Sequence, residues 1–320
     1  MMARASAGRD RSNRPSGNAT GEENTRCGFV ALIGAPNSGK STLTNALVGA
    51  KVSIVTHKAQ TTRGPVRGIA LIGKSQVILV DTPGIFQPKR RLDRAMFASA
   101  WDRAGDADIV VLVIDAQRGL DQSLEVLLKH LPEVRHPIVA VLNKIDQVSK
   151  PELLRLATEV AAIRPFDRVF MLSALTGDGV ADLKSYLAGA VPPGPWLFPE
   201  DQLTDASLRQ SAAEITREKL FLRLHEELPY QLTVETTVWK ELKDKSVRIE
   251  QTIYVTRESQ RKIVLGAKGQ TIKEIGSAAR SEIAEMAGVP VHLFLFVKVR
   301  EHWGEDPERY REMGLDYPKK

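Results

Sequence analysis

The pattern of apolar and polar positions divides the chain into two textures. From residue 27, short continuous apolar runs recur: CGFVALI at 27–33, VILVD at 77–81, IVVLVID at 109–115, PIVAVLN at 137–143 and RVFMLS at 168–173. Between them lie stretches with apolar residues at helical spacing, such as STLTNALVG with Leu43, Leu47 and Val48. Strands this apolar are covered on both faces, and their alternation with helices predicts a mostly parallel sheet. VPPGPWLFP at 191–199 ends the pattern, because four prolines and a glycine continue neither a helix nor a central strand. Beyond this linker a helix is expected over about 206–227, then the strand-like runs LTVETTVWKEL and VRIEQTIYVTR. A short helix, the turn GAKG, a second helix to about 287 and the strand VHLFLFVKV complete the order α, β, β, α, α, β. The first 26 residues are rich in Arg, Ser, Gly and Asn and have no apolar face, which predicts a disordered tail. The expected organisation is a tail at 1–26, an α/β domain at 27–190, a linker at 191–199 and an α+β domain at 200–320.

Composition changes this picture little. The 320 residues, 42% of them hydrophobic, suffice for two cores. Cys27 is the one cysteine, which excludes an internal disulfide and fits a reducing compartment, the cytoplasm. No window approaches the ~18 apolar residues of a membrane span, although peripheral association stays open. A net charge of +6 is compatible with nucleic acid and decides nothing alone. A mitochondrial transit peptide is the alternative reading of the tail, and Asp10, Glu22 and Glu23 count against it.

Candidate chemistry sits at the ends of the predicted strands. Residues 34–41, GAPNSGKS, fit G-x-x-x-x-G-K-S, in which the loop Gly34, Ala35, Pro36, Asn37, Ser38 and Gly39 folds so that its backbone N–H groups, which Pro36 lacks, converge on an anion. Lys40 then reaches the outer phosphates, and Ser41, followed by Thr42, offers a hydroxyl to Mg²⁺. Asp81-Thr82-Pro83-Gly84 ends a strand some 40 residues later. Asp81 there is expected to hold Mg²⁺ through water, and the Gly84 N–H to meet the γ-phosphate. Asn143-Lys144-Ile145-Asp146 fits N-K-x-D, where a carboxylate accepts two hydrogen bonds from guanine N1 and N2 and so selects GTP and GDP. Ser173-Ala174-Leu175 ends the next strand, with the Ala174 N–H expected at guanine O6.

Taken together, residues 27–190 resemble the translation-factor-like GTPases, and the resemblance makes KAQTTR at 58–63 the first switch segment. One of Thr61 and Thr62 closes on Mg²⁺ there, with Thr62 favoured. Ile85 stands where many small GTPases place a water-orienting glutamine, so slow intrinsic hydrolysis is expected. Asn37 is a candidate K⁺ ligand, the alternative being a bond to the phosphate-loop backbone. Lys40, Asn37 and Thr62 are thus the expected catalytic residues, and Ser41, Thr62 and Asp81 the Mg²⁺ set.

The C-terminal order of elements resembles a type II KH domain, with Gly266-Ala267-Lys268-Gly269 as its G-x-x-G loop clamping about four nucleotides. Residues 257–280 carry six basic residues (Arg257, Arg261, Lys262, Lys268, Lys273 and Arg280) against two acidic ones (Glu258 and Glu274). SLRQSAAEITREKLFLRLHEELPY, VTRESQRKIVLGAKGQTIKEIG and VKVREHW narrow the resemblance to the Era family of ribosome-assembly GTPases. That resemblance implies a monomeric switch, cytoplasmic or peripheral at the inner membrane, that binds 16S ribosomal RNA near its 3′ end during small (30S) subunit assembly. A constitutive RNA-binding or docking protein whose G domain seldom turns over is the rival reading. Trp303 and Tyr310 are expected to pack the C-terminal segment.

Overall fold

The computed structural model of the chain describes residues 24–318, apart from 59, 87, 89 and 132–135. All seven residues of strand β4 (Ile109–Asp115) are buried, and alternation sorts its apolar side chains into two cores. Ile109, Val111 and Val113 pack with Leu43 and Leu47 of helix α1 (Lys40–Val48) and with Leu183 and Leu187 of α5 (Val180–Ala190). Val110, Leu112 and Ile114 turn the other way. They meet Ala100 of α2 (Arg91–Asp106), Leu127 of α3 (Gln122–His130) and Val160 of α4 (Lys150–Ile163). The unbroken apolar run therefore reflects helices on both faces.

Strands β1 (Arg26–Gly34), β3 (Ser75–Asp81), β4, β5 (Ile138–Asn143) and β6 (Arg168–Leu172) are parallel. β2 (Val66–Ile72) pairs antiparallel with β3, giving the order β2-β3-β1-β4-β5-β6. This edge strand, VRGIALI, is absent from the apolar runs of the sequence because Arg67 and Gly68 interrupt it and it is only partly buried. Parallel pairing places the ends of β1, β3, β5 and β6 on one side of the sheet, which brings the candidate motifs together.

After residues 191–199, where Gln76 of β3 accepts from the Leu197 and Phe198 N–H groups, Ser207 caps helix α6 (Leu208–Arg223). This helix is shorter than the predicted 206–227. Strands β7 (Leu232–Glu241), β8 (Val247–Val255) and β9 (Val291–Val299) form the second sheet, β7-β8 antiparallel and β8-β9 parallel. Helices α7 (Glu258–Leu265) and α8 (Gln270–Ala287) make the crossover between β8 and β9. Leu220, Ile253, Val264 and Ile275 pack between this sheet and its helices. The first unit is thus an α/β P-loop domain and the second an α+β KH domain, as the sequence predicts.

The last segment returns to the first unit. Tyr310 of α9 (Pro307–Glu312) and Leu315 pack on Ala95 and Met96 of α2. Trp303 and Tyr310 are buried and donate to Gln231 O and Gly304 O at 3.0 and 2.8 Å, the packing role expected of them. Of the tail expected at 1–26, residues 1–23 lie outside the described residues, while its end is ordered structure: Thr25 Oγ1 donates to Gly194 O at 3.0 Å and Arg26 opens β1. Among those described, no helix is long and apolar enough to cross a membrane.

Candidate nucleotide site and nucleic-acid loop

Strand β1 delivers the chain into the glycine-rich loop, and α1 starts at its lysine. Gly39 has φ +97°, and a Cβ there would stand 2.1 Å from Asn143 Nδ2, so backbone and packing both require glycine. Lys40 is buried and donates to Gly34 O and Ala35 O at 3.1 and 2.9 Å. Burial pushes its pKa down to about 8, against the opposing pull of Asp81. An anion in the loop would supply the negative charge this ammonium lacks. Asn37 Nδ2 donates to His57 O at 2.9 Å, so its partner is the carbonyl of a distant segment and not the phosphate-loop backbone.

The end of β3 sets Asp81 against the first turn of α1. Ser41 Oγ donates to Asp81 Oδ2 at 2.7 Å and lies 3.0 Å from Thr62 Oγ1. Thr62 Oγ1 is 3.4 Å from the same carboxylate oxygen. Thr61 turns away, with its hydroxyl 2.6 Å from Thr56 Oγ1 and 2.8 Å from Lys58 O. Of the two threonines, Thr62 is the one whose hydroxyl joins the cluster. Asp81 is fully buried, and burial raises its pKa against the hydrogen bond from Ser41 and the charge of Lys40. Its Oδ1 has no partner. An unsatisfied buried carboxylate oxygen beside two hydroxyls suits a hard divalent cation. Ile85 is buried in the core, and only its backbone faces the loop, donating to Gly34 O at 3.0 Å.

The base-side motifs interlock through one amide. Asn143 Nδ2 donates to Ser38 O at 2.8 Å, and its Oδ1 accepts from the Ala174 N–H at 2.9 Å. The Ala174 N–H is therefore already engaged, and a guanine O6 there must share it or displace Asn143. Lys144 adopts φ +67° and donates to Asp115 Oδ2 at 2.6 Å, while Asp146 is exposed at the mouth of the site. Ser173 Oγ accepts from Thr176 N at 3.2 Å, and Leu175 is exposed beside it.

In the second unit, α7 ends at Gly266 with φ +74° and ψ 176°, and a Cβ there would lie 2.1 Å from Thr271 Oγ1. Gly269, at φ +78°, opens α8, and a Cβ there would meet nothing within 4 Å, so its outer side is open space. Arg257, Lys262, Lys268 and Lys273 are exposed around the loop, with Ala267 at its tip. Arg261 is partly committed, pairing with Glu258 at 2.8 Å and donating to Val297 O at 3.3 Å.

A family model described as 50S ribosome-binding GTPase matches residues 29–144, and a KH domain model matches 227–304. The protein GTPase Era of Brucella suis biovar 1 is 65% identical over 304 residues, 95% of this chain and 98% of the relative. The chain belongs to the Era family of GTPases. GTPase Era of Bradyrhizobium diazoefficiens is 63% identical over 92% of the chain and 96% of its own length. A crystal structure of Era in complex with MgGDPNP and nucleotides 1506–1542 of 16S ribosomal RNA superposes with TM-score 0.87 at 38% identity. That match covers 91% of this chain and 99% of the other. An Aquifex aeolicus Era variant bound to GDP·AlF4⁻ gives TM-score 0.86 at 38% identity, with the same coverage.

As an Era-family GTPase the chain uses residues that its motifs did not announce. Asp115, at the end of β4, holds Lys144 and is also 3.7 Å from Arg118. Asn45 Oδ1 accepts from the Val52 and Ser53 N–H groups, both at 2.9 Å, and anchors the start of the segment that carries Thr62. An aspartate closing an apolar strand was a visible signal for the first. Nothing in sequence marked the second, because a helix-surface asparagine is ordinary. Neither the membrane-surface nor the mitochondrial alternative gains support from the Era relatives.

Proposed function

We propose that the chain is a GTP-driven switch that binds 16S ribosomal RNA near its 3′ end and assists small-subunit (30S) assembly. The supporting observation is the match to Era in complex with MgGDPNP and 16S RNA, which spans both units of the chain at once. The family description of the first unit mentions the 50S particle, but the RNA of that relative belongs to the small subunit. In this reading the glycine-rich loop and Lys40 bind the phosphates, Asp146 reads guanine, and Ser41 and Thr62, with Asp81 through water, hold Mg²⁺. The cation supplies electrostatic stabilisation of the phosphoryl oxygens. Arg257, Arg261, Lys262, Lys268 and Lys273 place RNA phosphates against the glycines of 266–269. The protein acts as a cytoplasmic monomer.

The test compares nucleotide states. A labelled RNA carrying the 3′-terminal 16S sequence should bind more tightly to the protein with a non-hydrolysable GTP analogue than with GDP. Equal affinity in both states favours the constitutive RNA-binding alternative.

Hydrolysis is expected to be slow, because Ile85 is in the core and no side chain at that position orients water. Asn37 Nδ2 donates to the His57 carbonyl beside the phosphate loop, and with the amide turned so that its Oδ1 faces the same space the two oxygens would suit a monovalent cation such as K⁺. A cation there adds to transition-state electrostatics, commonly the largest catalytic term. GTP turnover should be several-fold faster in KCl than in NaCl at equal ionic strength, and Asn37→Ala should abolish the difference. Equal rates for the parent in both salts exclude the cation.

A further inference from the structure

The segment bearing Thr62 is held from outside the G domain. Along its length it is bonded to helix α6, to α8 and to the chain from Leu224 to Leu232, all within the KH unit. Lys51 pairs with Glu218 and with Glu282 of α8 at 2.7 and 2.6 Å, and the Val55 N–H donates to Glu218 Oε1 at 2.9 Å. Lys58 Nζ donates to Phe221 O and Leu224 O, carbonyls at the end of α6 that have no helical partner of their own. Arg217 donates to Thr61 O. Arg63 donates to Leu232 O at 2.6 Å and Pro229 O at 3.2 Å, with its guanidinium between the rings of Phe221 and Trp303.

Among these contacts Arg217 stands apart in position and construction. It bonds the carbonyl of the residue immediately before Thr62, whose hydroxyl faces Ser41 and Asp81. The residue is 2% exposed. Its Nε donates to Glu214 Oε1 at 2.8 Å, Nη2 bonds Glu214 Oε2, and the guanidinium stands 5.2 Å from the Phe221 ring centre. A planar fork fixed by a carboxylate and a ring aims the second hydrogen of Nη2 at the Thr61 carbonyl, a geometry that a lysine cannot reproduce, while Nη1 is buried without a partner. Burying a guanidinium also carries a desolvation cost out of proportion to one surface contact.

We infer that Arg217 is a positioning residue for GTP hydrolysis supplied by the RNA-binding domain: it fixes the Thr61 carbonyl and thereby holds the Thr62 hydroxyl at the Mg²⁺ site. The inference rests on the reading of Thr62 as an Mg²⁺ ligand. Hydrolysis then depends on how α6 lies against the G domain, so a rearrangement of the KH unit reaches the reacting phosphate through one guanidinium.

The experiment uses the full chain and four variants: Arg217→Met, Arg217→Lys, Lys51→Met and Thr62→Ala. Single-turnover hydrolysis should fall roughly 10–100-fold in Arg217→Met, the scale expected when a reacting-site group is displaced by about 1 Å. Half-saturating Mg²⁺ for hydrolysis should rise, whereas GDP affinity, which does not use Thr62, should change less than about threefold. Arg217→Lys should not restore the rate. Lys51→Met removes another contact between the same elements without touching Thr61 and should hydrolyse GTP as the parent does. If Lys51→Met is as slow as Arg217→Met, general domain docking is responsible and the inference is overturned. Normal hydrolysis and Mg²⁺ dependence in Arg217→Met, with Thr62→Ala impaired, overturns it as well. An unimpaired Thr62→Ala instead removes the Mg²⁺-site reading on which it rests.

Discussion

The variant Gly266→Asp with Gly269→Asp is expected to lose RNA binding by roughly 30-fold or more while binding GTP normally. Each new carboxylate would sit about 4 Å from a phosphate, where repulsion is on the order of 1–4 kcal/mol. The two positions differ in what the substitution means. At Gly266 a side chain meets Thr271 and the backbone lies in a region that only glycine enters readily, so part of the loss there comes from a distorted loop. At Gly269 the left-handed backbone is the milder αL kind and the space outside is open. Gly269→Asp alone should therefore lose about tenfold through charge, whereas Gly269→Asn, which tolerates αL, should stay within about threefold of the parent. Fluorescence anisotropy with the 3′-terminal RNA at matched salt reads all three, since phosphate contacts are salt-sensitive. Parent-like affinity in the double variant would show that the loop does not hold RNA and would favour protein docking at the KH unit.

Much of this site was legible because its chemistry is written in contiguous residues. G-x-x-x-x-G-K-S, D-x-x-G and N-K-x-D each occupy one turn at the end of a strand, so local sequence specifies both the residue types and their placement. Apolar runs located the strands for the same reason, since a strand covered on both faces is mostly apolar and admits a polar residue such as Gln76 only where hydrogen bonds satisfy it. What sequence left out depends on contacts across long separations. β2 was missed because Arg67 and Gly68 break its apolar run and only Gly68, Ile69 and Ala70 at its centre are buried. The choice between Thr61 and Thr62 turned on which hydroxyl points at Ser41, a torsional fact that adjacent identical residues do not carry. Asn143, read as part of base recognition, also ties Ser38 to Ala174. Arg217 lies in an otherwise ordinary charged helix, and only the fold reveals that it is buried against Thr61.

Asp146→Asn is expected to change which nucleotide the protein uses. Guanine presents N1–H and the N2 amino group side by side, and a carboxylate accepts from both. Asparagine keeps one acceptor and turns the other into a donor facing the amino group. The loss of a charged acceptor and the clash of two donors should weaken GTP binding by roughly 10²–10⁴-fold, since each hydrogen bond to a charged group contributes about 1.5–3 kcal/mol. Xanthine carries a carbonyl where guanine carries the amino group, so the asparagine amide can donate to it while still accepting from N1–H. The exposure of Asp146 at the mouth of the site favours a clean result, because exchanging an exposed carboxylate for an amide of the same shape leaves the packing intact. Lys144, held by Asp115, and Asn143, held between Ser38 and Ala174, keep the loop in place in the variant. Competition between GTP and XTP for the variant, followed by XTP hydrolysis at saturating nucleotide, separates recognition from chemistry. XTP should bind in preference and be hydrolysed at a rate close to that of GTP on the parent. An unchanged preference for GTP would mean that the base is read elsewhere, and the exposed Leu175 backbone beside Ser173 would be the next place to test.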